Sequence, residues 1–226
     1  MTASKNKWFL TTIQIGLLAW SGVALAVDKV YVANEGADTV SVLDAASFKT
    51  LANVRVGKMP HNVQVSPDGK LVWVTNNGEP DQAADASAHQ GMAKGEHDAM
   101  GKPGAVWAID TSSEVIVAKV PVGMHPAHVV VSPDGRFAYV TNGGDNTVSV
   151  IDTVAQHVVA TISVGQFPHG LRISPDGKQI WVANLKGGTV SVIDTASQKE
   201  IAQVPAGKGP AQVGFTPDGR LVLVSL

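Results

Sequence analysis

The chain has 226 residues, a formal net charge of −2, no cysteine, 23 glycines and 12 prolines. No run of Lys or Arg marks a nucleic-acid footprint. The lack of cysteine excludes disulfides, thiolate metal sites and the Cys-x-x-Cys-His attachment of c-type haem. A Val-rich, turn-rich, charge-poor composition suits an all-β protein.

Residues 1–26 read as a signal peptide. Lys5 and Lys7 form the positive start, Trp8 to about Leu18 the apolar stretch, and Ala24-Leu25-Ala26 a small-x-small cleavage site. The apolar run is short and interrupted by Thr11, Thr12 and Gln14, so no stable membrane span is expected after cleavage. Loss of two lysines and no acidic residue takes the net charge from −2 to −4. The expected location is the periplasm or the exterior, where a chain without thiols is safe from oxidation.

From Val27 onward the chain repeats. Ser-Pro-Asp-Gly begins at Ser66, Ser132 and Ser174, and Thr-Pro-Asp-Gly at Thr216; the last two intervals are 42 residues and the first is 66. A fixed period of this size signals a repeat architecture. One unit reads as four strands. Strand a is Pro126 to Val131, and a Pro-Asp-Gly turn leads to strand b, Phe137 to Asn142. Strand c is Thr147 to Asp152, and strand d is His157 to Val164.

Tyr139-Val140-Thr141-Asn142, with Trp73-Val74-Thr75-Asn76, Tyr31-Val32-Ala33-Asn34 and Trp181-Val182-Ala183-Asn184, resembles the YVTN family of β-propeller repeats. So do Val-Gly at Val56, Val122 and Val164, and the aspartates closing strand c at 44, 110, 152 and 194. The resemblance covers nearly the whole chain after residue 26. It implies an all-β propeller of four-stranded antiparallel blades, with strand a innermost beside a central channel. Similar proteins include exported bacterial propellers of unknown role, surface-layer proteins and, more distantly, the propellers of nitrous oxide reductase and of nitrite reductases that hold a d-type haem. The chain supplies strands b to d from Val30, three full sets, and strands a and b from Ala211. It is therefore expected to be a truncated copy of a seven-bladed propeller.

The second unit carries a 24-residue Ala/Gly-rich insertion at 80–103, between strands b and c, with His89-x-x-Met92 and His97-x-x-Met100. Apart from the initiator, every Met lies within three residues of a His: Met59/His61, Met92/His89, Met100/His97 and Met124/His125. Alternating strand direction puts the d-to-a and b-to-c connections on one rim. His61, His125 and His169, with His128 one step further down strand a, are expected at the channel mouth, and His89, Met92, His97 and Met100 as a lid above it. Imidazole with thioether and no thiolate is a ligand set suited to copper.

No Gly-x-Ser-x-Gly, His-Glu-x-x-His or phosphate-loop signature occurs, and no catalytic residue is assigned. Aspartates recurring at identical positions (68, 134, 176 and 218; 44, 110, 152 and 194) read as turn residues. The expected role is an exported binding or scaffold propeller without catalysis, presenting its His/Met rim to a protein or small ligand. A periplasmic copper-binding protein is the alternative, and a cofactor-dependent reductase-like propeller the third reading.

Overall fold

The computed structural model describes residues 27–78 and 103–226. The expected signal peptide, and His89, Met92, His97 and Met100 of the insertion, lie outside the described residues. Pro103, placed by sequence at the end of the insertion, is the first residue of a strand.

Among the described residues, seventeen strands form successive antiparallel sheets. Blade 1 holds β1 (Lys29–Asn34), β2 (Thr39–Asp44) and β3 (Thr50–Arg55). Blade 2 holds β4 (Lys58–Val65), β5 (Leu71–Gly78), β6 (Pro103–Asp110) and β7 (Ile116–Met124). Blade 3 holds β8 (Pro126–Val131), β9 (Phe137–Asn142), β10 (Thr147–Asp152) and β11 (His157–Ser163). Blade 4 holds β12 (Pro168–Ile173), β13 (Gln179–Asn184), β14 (Thr189–Asp194) and β15 (Lys199–Pro205). Then come β16 (Gln212–Phe215) and β17 (Val222–Ser225), the a and b strands of blade 5.

Each repeated motif has a local cause. In every Pro-Asp-Gly turn the aspartate Oδ1 accepts from the hydroxyl two residues earlier, at 2.5–2.7 Å, and from the amide two residues later. The glycine takes φ near +70°, where a side chain would be strained. The aspartates ending strand c accept turn amides in the same way. Both sets are spent on turns. The asparagine ending strand b donates its side-chain amide to Thr and Ser hydroxyls of strand c, at 2.7–3.1 Å in blades 1, 3 and 4. The glycine of Val-Gly is the space for that asparagine. A Cβ on Gly57, Gly123 or Gly165 would meet Asn76, Asn142 or Asn184 of the following blade at 2.4–2.8 Å.

The apolar face of each blade packs on the next, so the core is a series of interfaces. Val40, Val74 and Trp107 lie between blades 1 and 2, and Trp73, Val120, Val129 and Val140 between blades 2 and 3. Tyr139, Val150, Leu171 and Ile193 lie between blades 3 and 4, and Ala183, Val190 and Val213 between blades 4 and 5. Each such Val, Leu or Ile contributes about 1.5–3 kcal/mol on full burial. The inner strands β4, β8, β12 and β16 neighbour one another in turn, which brings their starts together around the channel.

Candidate metal centre

The site is made by a bulge repeated at the start of strand a. In β4, Pro60 pairs with Asn76 and Val63 with Val74, so His61 and Asn62 together face the single residue Thr75. The same offset puts Ala127 and His128 opposite Thr141, and His169 and Gly170 opposite Ala183. A bulge bends the strand and re-aims its side chains. The threonine hydroxyl satisfies the extra residue: Asn62 N donates to Thr75 Oγ1 and His128 N to Thr141 Oγ1, both at 3.0 Å. Each hydroxyl then donates across to the next blade, Thr75 to Ala127 O at 2.8 Å and Thr141 to His169 O at 2.7 Å. Ala183 has no hydroxyl. There Gly170 N donates directly to Ala211 O at 3.0 Å.

These bulges bring His61, His128 and His169 from three successive blades to one point. Ring centroids are 5.4 Å apart for His61–His128, 5.3 Å for His61–His169 and 4.9 Å for His128–His169, all edge to face. One nitrogen from each ring lies within 4.8 Å of the other two. His128 is buried, and the other two are partly so. His169 Nδ1 donates to Ala211 O at 3.0 Å; a carbonyl can only accept, so the Nε2 lone pair is left free. His61 Nδ1 faces the Glu35 carboxylate at 3.7 Å. An outer acceptor on the second ring nitrogen is the usual support of a metal-binding histidine.

Burial pushes the His128 pKa down to about 3, helped by His169, His61 and Arg172. His169 is also shifted down, first by burial, with the Ala211 carbonyl opposing and His61 adding. Both rings are therefore neutral at pH 7, the form that ligates.

The structure does not bring His125 to this cluster. It occupies the residue before Pro126, with φ of +53°, and its ring packs against Phe167, which precedes Pro168 in the next blade, at 6.1 Å. The position equivalent to His61 in blade 3 is Ala127. Met59 and Met124 lie not in the connections but in strands, Met59 as the second residue of β4 and Met124 as the last of β7, and His157 is exposed on β11. Sequence reasoning missed Gln212, whose side-chain amide stands 2.9 Å from His128 Nε2. Its signal was its place in the repeat, equivalent to His128.

At the opposite rim, a cleft of about 450 Å³ opens between the turns of blades 2 and 3, among Pro67, Asp68, Trp73, Pro133 and Asp134. A Cβ on Gly177 or Gly219 would touch the proline of the preceding turn at 3.3–3.4 Å, whereas one on Gly135 would meet nothing. The cleft is a gap in that stack of turns, and among the described residues the metal-binding cluster lies elsewhere.

Four-stranded antiparallel sheets packed face to face, inner strand beside inner strand, define a β-propeller. The family model described as the cytochrome D1 heme domain matches residues 100–225, and the chain belongs to that family. Antigen Lp49 of Leptospira interrogans is 25% identical over 121 residues, 54% of this chain and 24% of that protein. Hydrazine synthase of Kuenenia stuttgartiensis superposes with a TM-score of 0.71 at 27% identity, over 87% of this chain and 51% of that one. A functionally unknown protein from Desulfotomaculum acetoxidans gives 0.69 at 15% identity, over 88% and 62%, a likeness of fold. This chain thus spans about a quarter of the antigen and half of the synthase chain. Among the described residues no helix is long and apolar enough to cross a membrane.

Proposed function

We propose that this is an exported metal-binding propeller, with His61, His128 and His169 holding one transition-metal ion at the channel mouth. The carrying observation is that three imidazole nitrogens, from three blades, lie within 4.8 Å of one another. Three imidazoles suit copper, zinc, iron or nickel, and at a given nitrogen site copper(II) binds most tightly of the divalent ions. Copper is therefore the ion proposed, and its handling outside the cytoplasm the role. No catalytic step is assigned.

The family name raises a d-type haem, and the cluster does not fit one. A haem iron has two axial positions, on opposite faces of the macrocycle. Three imidazoles converging within 4.8 Å are more than the one or two side chains a haem iron takes from a protein. The convergence matches a bare ion.

The test is a competition titration with copper and zinc on the chain from Val27. Replacing His61, His128 and His169 together by alanine should abolish the tight site. Affinity equal to the parent's would remove the proposal. Deleting residues 80–102 in parallel measures what the insertion's His and Met add. A loss confined to that deletion would move the metal site to the insertion.

A further inference from the structure

We infer that Gln212 is the fourth protein ligand of this centre, with its side-chain carbonyl oxygen joining the three imidazoles on the ion. The inference rests on the metal reading above and extends it to a fourth blade.

The first argument is placement. Blades 2 and 4 offer a donor one residue after the strand-a proline, His61 and His169. Blades 3 and 5 carry alanine there, Ala127 and Ala211, and offer the next residue, His128 and Gln212. Four consecutive blades thus each present one group able to hold a cation. Gln212 N also donates to Ser225 Oγ at 3.1 Å, as His128 N does to Thr141, so the two residues share a backbone setting.

The second argument is distance. The Gln212 amide nitrogen lies 2.9 Å from His128 Nε2. Donor atoms held about 2.1 Å from one ion lie about 3.0–3.4 Å apart. A half-turn of the terminal torsion exchanges nitrogen for oxygen and sets the oxygen at the distance of a neighbouring ligand. The amide N–H donates to the His128 Nε2 lone pair, the same lone pair that would bind a cation.

The third argument is an unmet need. Gln212 Oε1 is buried with no hydrogen-bond donor, a state that costs about 1–3 kcal/mol unless something supplies the partner. Gly170 leaves room for the amide end of Gln212 to turn that oxygen toward the ion: a Cβ there would stand 2.2 Å from it, and Gly170 is the bare member of a position filled elsewhere by Asn62, His128 and Gln212. Asn76 and Asn184 also carry a buried, unpartnered oxygen, but both belong to strands b, in β5 and β13, rather than to the inner strands that carry the histidines.

The experiment compares the chain from Val27 with Q212A, Q212M, Q212E and H128A. Zinc(II) affinity is measured by competition, and the visible spectrum of the cobalt(II) form reports the ligand set. Q212M keeps the length and apolar volume, so it holds the packing if Q212A does not fold. Loss of the ligand should lower zinc affinity about tenfold or more and shift the cobalt bands, whereas Q212E should bind at least as tightly as the parent. If Q212M binds zinc like the parent with an unchanged cobalt spectrum, while H128A does not bind, Gln212 is no ligand and the histidine centre stands. If H128A too binds like the parent, the metal reading itself falls.

Discussion

His128 is the most deeply set of the three imidazoles, and its burial has a pH signature. Its pKa in the folded chain is about 3, against about 6.5 for a free side chain. The unfolded chain therefore takes up the proton first. Stability is complete above about pH 6.5 and falls as pH drops toward 3, by up to about 1.4 kcal/mol per pH unit from this one group. His169 acts in the same sense. The turn aspartates also lose their contribution on acidification, but only near and below their ordinary range, so the comparison belongs between pH 7 and 4.5. H128N borrows the residue found at the same position in blade 2, Asn62. Urea midpoints of the metal-free chain should fall with pH in the parent and fall less steeply in H128N. Parallel curves would show that the ring titrates as if exposed. Thr141 holds the backbone of the same residue. T141V keeps the shape but removes both the acceptor for His128 N and the donor to His169 O. It should cost about 1–3 kcal/mol and weaken metal binding, because both histidine carriers lose their anchor.

A blade is built from four short strands, and what joins it to the next is a set of close approaches. G165A puts a methyl 2.4 Å from the Asn184 side-chain nitrogen and 2.6 Å from its Cγ. That asparagine is fixed by hydroxyls at 2.8 and 3.0 Å and cannot swing away. A loss of about 1–3 kcal/mol is expected. G36A, where a methyl meets nothing, should leave the midpoint nearly unchanged. Equal effects at the two sites would show that the asparagine contact does not join the blades. Much of this level was legible in the sequence. Pro-Asp-Gly fixed the turns, alternation fixed the strands, and the 42-residue interval fixed their grouping. The bulge was not legible, since it is a two-against-one pairing that strict alternation cannot show. It carries His61 and His128 into one cluster although they occupy different steps along strand a, and it leaves His125, one residue before the proline, outside. Gln212 was missed because a lone glutamine marks no chemistry until its neighbours are known.

On the scale of the whole molecule, each blade packs only on its neighbours, so stability is close to a sum of blade and interface contributions. The outer strands β3, β11 and β15 are largely exposed along alternate or successive positions, whereas β9, β10 and β13 are mostly buried. Hydrogen exchange should grade accordingly, fast in the outer strands and slow at the blade interfaces. The histidine cluster is an exception to the nearest-neighbour rule, because His61 of blade 2 meets His169 of blade 4 across the channel mouth. An ion bound there ties together blades that otherwise touch only through blade 3. At a free concentration of about 100 times its dissociation constant, an ion that binds only the folded state adds about 2.7 kcal/mol. That gain should be local in origin. Exchange should slow most in β4, β8 and β12, and in β16 as well if Gln212 is a ligand, with little change in β3, which contributes no donor. Copper or zinc that raised the unfolding temperature while slowing exchange evenly across every strand would point to binding elsewhere. An ion that changed neither would mean the three rings meet only to pack. The spatial pattern of protection therefore separates a clamp across the channel from adventitious metal on the surface, which a shift in unfolding temperature alone cannot do.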